Sequence, residues 1–163
     1  MKFLLCGLAL TAAAACAQTA PPPASEARKP FKGANLIIVS TPDSVGLALS
    51  KIRGILLAQQ YELDSITPDR ITTKGRPFDL PAAGTAQQPP VQVFRVRAYP
   101  ASQGARLVVT GEYSQDVGPK HHFTFPMRWL APQNPSYNQS CFTYAEKIAK
   151  AYPQALISYQ QQP

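Results

Sequence analysis

Val91-Gln92-Val93-Phe94-Arg95-Val96-Arg97-Ala98-Tyr99 and Arg106-Leu107-Val108-Val109-Thr110-Gly111-Glu112 decide how this chain folds. In the first stretch Phe94, Val96 and Ala98 share one parity, and Arg95 and Arg97 take the other. In the second, Leu107, Val109 and Gly111 alternate against Arg106, Val108, Thr110 and Glu112. A strand sends successive side chains to opposite faces, so a period of two marks a half-buried strand. Pro100-Ala101-Ser102-Gln103-Gly104 between them is turn material, which makes the pair a hairpin. The two apolar faces coincide only if Val96 lies opposite Leu107 or Val109. A slip of one residue would invert one strand.

Toward the C-terminus, His121, Phe123, Phe125, Met127 and Trp129 form the most aromatic alternating set in the chain. Pro126 sits on the opposite parity and cannot donate to a ladder, so this is expected to be an edge strand. Asn138 can cap a helix whose apolar positions are Cys141, Tyr144, Ala145, Ile148 and Tyr152. Pro153 ends or kinks that helix, after which Leu156 and Tyr159 can carry its stripe onward. Toward the N-terminus, residues 34–40 are a short apolar run rich in branched residues, as in a buried strand. Thr41 is a good N-cap, Pro42 suits the first helical position, and Asp43 complements the helix dipole. Val45, Leu49, Ile52 and Leu56 then recur at helical spacing, with Ser50, Lys51 and Arg53 on the wet side. Residues 61–66 and 70–74 flank the turn Thr67-Pro68-Asp69 and read as a second hairpin. Residues 76–90 form a Pro- and Gly-bearing loop long enough to be either functional or disordered.

Strand, helix, several antiparallel strands and a last helix define an α+β fold. The expected architecture is a two-layer sandwich, an antiparallel sheet of five or six strands with two helices packed on one face. This element order over residues 33–159 resembles the TATA-binding-protein-like and helix-grip folds, which include small domains in lipoproteins of the outer-membrane barrel-assembly machinery. The order carries no motif, so no functional residue is transferred with it.

The first fifteen residues have a different character. Lys2, the apolar run from Phe3 to Leu10 and the small residues Thr11 to Ala15 make the three-part pattern of a secretory signal. The run is too short to span a bilayer, which needs roughly 20 apolar residues. Ala13-Ala14-Ala15-Cys16 resembles the lipobox of bacterial lipoproteins, although Ala13 stands where that family usually has Leu. The resemblance implies cleavage before Cys16 and lipid attachment to it. The other reading is ordinary secretion at Ala15-Cys16-Ala17, with a mature chain starting at Gln18. Thr19-Ala20-Pro21-Pro22-Pro23-Ala24-Ser25-Glu26 follows as an extended, semi-stiff spacer. The expected divisions are thus 1–15 signal, 16–32 lipidated cysteine and linker, 33–160 one domain, and 161–163 a tail. A lipobox followed by a Pro-rich spacer is similar to many small Gram-negative envelope lipoproteins. The expected location is the periplasmic face of a membrane, the outer membrane foremost, with soluble secretion as the alternative.

Three cysteines and two histidines limit the chemistry. Cys6 leaves with the signal and Cys16 is lipidated or removed, so Cys141 is left without a disulfide partner. It falls in the apolar stripe of the last helix, where a thiol is usually a small inert hydrophobe. His121 and His122 are neighbours and point to opposite faces of a strand, which does not suit a shared metal. Glu62 and Asp64 lie beside Arg70, Thr72 and Lys74, as in a solvated cross-strand ladder. Catalytic residues, a metal site and a cofactor are therefore not expected.

The formal charge of +7 comes from 16 Lys and Arg against 9 Asp and Glu. In an exported chain it points first to solubility alone, and among partners to anionic lipid headgroups or envelope polymers rather than to nucleic acid. Arg95, Arg97 and Arg106 share the polar sheet face. They form either a solvated surface or a platform for an anionic partner. Phe123, Phe125 and Trp129 either fill the core or line an apolar cavity under the last helix. The expectation is a non-enzymatic, membrane-anchored binding or assembly module with an envelope protein or anionic polymer as partner. The alternative is a carrier or sensor of a small apolar ligand held between sheet and helix.

Overall fold

The central hairpin forms as its alternation dictates. In the computed structural model, which describes residues 27–78, 89–116, 121–130 and 136–162, strands β5 (Val91–Ala101) and β6 (Gly104–Asp116) pair along their whole length. Val96 lies opposite Val109, one of the two registers that bring the apolar faces together. The turn closes from Ala101 to Gly104.

The rest of the sheet grows from this pair. β1 (Leu36–Thr41) joins the first half of the outer edge of β6, and β7 (His122–Pro126) joins the second half. On the other side, β3 (Arg70–Thr73) and the two-residue β4 (Arg76–Pro77) both pair with β5. β2 (Leu63–Thr67) pairs with β3, and β8 (Leu156–Gln160) pairs with β1. Every pairing is antiparallel, and the main path runs β2-β3-β5-β6-β1-β8.

The sheet has eight strands among the described residues, not the five or six expected from the sequence. Two were misread. Pro153 ends the helical run, and residues 156–160 then extend along β1 instead of continuing a helical stripe. The start of the presumed loop, Arg76 and Pro77, adds to the edge of β5. The remainder of that loop, residues 79–88, lies outside the described residues.

The helices are α1 (Val45–Ala58) and α2 (Tyr137–Lys150), and both contact β6 and β1 or β5. No helix among the described residues is long and apolar enough to cross a membrane. One apolar cluster takes Phe94, Val96 and Ala98 from β5 and Leu107 and Val109 from β6. It also takes Ile52 and Leu56 from α1, and Cys141, Phe142, Ala145 and Ile148 from α2. Gly111 is a requirement of this packing. A Cβ there would meet the Phe94 ring at 2.7 Å and the Cys141 sulfur at 3.2 Å.

Both helix starts differ from expectation. Ser44, not Thr41, is the N-cap of α1, and Ser136, not Asn138, caps α2 by accepting from the Gln139 N–H. Several capping residues crowd each start, and the local geometry chose the one nearest the first turn. Asn138 serves instead as a tie. It accepts from the Tyr113 hydroxyl and donates to the Pro126 carbonyl, joining α2 to β6 and to the end of β7.

Asp43 fastens β1 to both helices. Its carboxylate accepts from Lys51 of α1 at 2.7 Å, from Thr41 of β1 and from the Tyr152 hydroxyl just past α2. The Lys51 and Tyr152 hydrogen bonds hold its pKa below the ordinary value of 3.8. Burial, and then the bond to Asp43, push Tyr152 up to about 12. A carboxylate depressed in the folded state stabilises it above the unfolded pKa and loses that contribution as pH falls through the folded one. A phenol raised in the folded state does the reverse, losing its contribution as pH climbs from 10 toward about 12. Thermal melts should therefore show the network intact between those limits. The acid-side fall in melting temperature should shrink in Asp43→Asn, and an unchanged acid limb in that variant would remove the network from the account.

Candidate functional site

The three arginines do share one face. Arg95 and Arg97 are two apart on β5, and Arg106 stands opposite Tyr99 in β6, one diagonal step from Arg97. Two of them are bound to acids. Arg95 pairs with Glu112 at 2.5 Å, a diagonal neighbour across the β5–β6 ladder. Arg97 reaches Asp69 in the β2–β3 turn at 3.3 Å and lies over the Tyr99 ring. The Arg95 hydrogen bond lowers the pKa of Glu112, and Glu112 in turn raises that of Arg95. The face thus carries paired charge, and Arg106 is half-buried between Ser40 and Tyr99.

The aromatic strand departs furthest from expectation. Phe123 and Phe125 do not fill the core: they are 46% and 39% exposed. Trp129 is partly buried and packs against the core, and Met127 is fully buried. His121 stacks on Phe123, Phe123 on Phe125, and Phe125 on Tyr113, with ring centroids 6.2, 6.2 and 5.2 Å apart. From Tyr113 the series passes inside to Tyr137 at 5.7 Å and to Phe78 at 6.1 Å. An aromatic ladder therefore runs from the core out along a strand that, among the described residues, only β6 pairs. Tyr113 and Tyr137 were missed in the sequence. Tyr113 continues the parity of Leu107, Val109 and Gly111 and could have been found by extending that alternation past Glu112.

The free edge of β7 follows from the ladder. The Met127 N–H donates to the Gly111 carbonyl at 2.7 Å. Counting back by twos, Phe125 and Phe123 spend their backbone groups on β6, while Thr124 and His122 turn theirs outward. Pro126, next in that outward series, has no N–H and its carbonyl is taken by Asn138.

The polar and nucleophilic candidates stay apart. His122 contacts Asp116 at 2.7 Å, while His121 belongs to the aromatic ladder. Among the described residues no three His, Cys, Asp or Glu gather as metal ligands. Cys141 is fully buried, and burial pushes its thiol up to about 12, so little thiolate is present at neutral pH. Glu62 and Lys74 make an exposed ion pair at 3.0 Å across the β2–β3 hairpin. Cys16 lies outside the described residues.

A cleft of about 300 Å³ opens at the far end of the sheet, lined by Arg28, Ser40, Leu156, Ile157 and Ser158. Sequence reading could not find it, because it depends on residues 156–160 being a strand. The chain matches no known protein family, no curated protein and no solved structure.

Proposed function

We propose that this chain is a non-enzymatic lipoprotein of the cell envelope, anchored through Cys16, whose domain receives an extended segment of an envelope protein along β7. The observation that carries this reading is the exposed aromatic ladder on an edge strand. Phe123 and Phe125 stand two apart on one face, spaced to grip alternate side chains of an added strand. Thr124 and His122 offer the backbone groups such a strand would pair with. Exposed neighbouring aromatic rings on a domain of this size are a recognised mark of interaction surfaces. The paired state of Arg95 and Arg97 argues against the sheet face as the main partner site. We read the fold as two layers, with both helices on one face, because the buried parity of β5 and β6 and the inner faces of α1 and α2 enter a single cluster. The envelope placement rests on residues 1–26 of the sequence.

The test is photo-crosslinking from single positions of the full-length chain in its own host. Probes at 123 and 125 should trap one discrete envelope protein, and a probe at Thr143, exposed on α2, should not. A Phe123→Glu change should remove the adduct from position 125. Equal adducts at all three positions, or none from β7, would sink the docking reading. Mass spectrometry of the mature N-terminus reads the anchor separately.

A further inference from the structure

The cleft beside β8 lies at the opposite end of the sheet path from β2, apart from the aromatic ladder and on the arginine face, where Ser40 is the register partner of Arg106. We infer that it binds the phosphate of an anionic membrane lipid headgroup. The inference builds on the anchored reading of Cys16, because that reading supplies the membrane.

Three observations converge on it. Ser40 of β1 and Leu156 of β8 are direct register partners, so a hydroxyl and an apolar side chain stand together at the site. Arg28 completes the wall, held there because the neighbouring Ala27 bridges Tyr159 through two backbone hydrogen bonds. Arg28 has no ion-pair partner among the described residues, unlike Arg95 and Arg97.

The segment that enters the cleft is basic. Arg28, Lys29 and Lys32 precede β1 with no Asp or Glu among residues 27–42, whereas Lys150 on α2 is paired with Glu146 at 2.8 Å. That segment attracts anions. Leu156 decides between a free anion and a lipid. It is 67% exposed at the wall of the cleft, and an apolar side chain beside a guanidinium matches the boundary between headgroup and acyl chain.

The position of Arg28 in the chain bears on this too. Arg28 is the first residue past the bridge, so the cleft flanks the point where the spacer meets the domain.

The test uses the full-length chain on vesicles of neutral phosphatidylcholine, with and without phosphatidylglycerol. Hydrogen exchange is followed in peptides covering 27–32 and 155–160. Phosphatidylglycerol should slow exchange there about fivefold, the gain one basic side chain makes at an anionic surface. Arg28→Gln and Ser40→Ala should each abolish that slowing, and Lys150→Gln should leave it. Equal exchange on both vesicles would overturn the inference. So would an equal loss from Lys150→Gln, which would mean diffuse charge. Protection by soluble glycerol phosphate on neutral vesicles would overturn the lipid as source. Flotation with neutral vesicles reports the anchor alone. A chain that fails to float yet is protected by phosphatidylglycerol keeps the cleft and loses the anchor.

Discussion

Replacing Gly104 with alanine should lower the unfolding free energy by about 3–5 kcal/mol, close to the whole stability of many small domains. Gly104 has φ +114°, a conformation L side chains rarely adopt. A Cβ there would stand 2.1 Å from the Thr41 carbonyl oxygen and 2.6 Å from the Pro42 Cα. Those are backbone atoms at the junction between β1 and α1, so no side chain can swing aside. Relief requires the β5–β6 turn and the start of α1 to part. A denaturant titration followed by circular dichroism reads the loss, and a midpoint matching wild type would show that the junction yields easily.

Phe94→Ala is the second large effect, with an expected loss of about 3–5 kcal/mol. Phe94 is fully buried at the centre of the sheet and meets Tyr61 edge to face, with ring centroids 5.4 Å apart. Its ring also fills the space that Gly111 leaves above β6. Truncation opens a void walled by β5, β6 and the Cys141 turn of α2, three elements that hold one another in place and cannot collapse inward together. The Phe94 backbone N–H, bonded to the Thr73 hydroxyl at 2.9 Å, survives the change, so the effect isolates the ring. A measured loss below about 1 kcal/mol would place the packing centre elsewhere.

Alternation made the β5–β6 hairpin legible, down to Val96 opposite Val109. Helical spacing did the same for α1, whose Leu49, Ile52 and Leu56 are all buried. The same signal failed at β7, and the reason is physical. A period of two says which residues share a face, not whether anything covers that face. α2 reaches Tyr113 through Asn138, but Phe123 and Phe125 lie beyond that cover. β8 was hidden because Leu156 and Tyr159 also fit a helical stripe, and only pairing with β1 separates the two readings. The neutralised arginine face was hidden too. Asp69 meets Arg97 from a turn 28 residues away, a distance no local pattern spans.

β1 has one neighbour in residues 105–109 and another in residues 156–160, Ser40 facing both Arg106 and Leu156. Contacts this remote in sequence place the domain toward the high-contact-order, slow-folding end of small proteins. A nascent chain can close the long hairpin early. Its opening strand must still wait, one edge bare, until residues 156–160 are free to arrive. A strand with one bare edge is therefore built into the topology for as long as β8 has not been made.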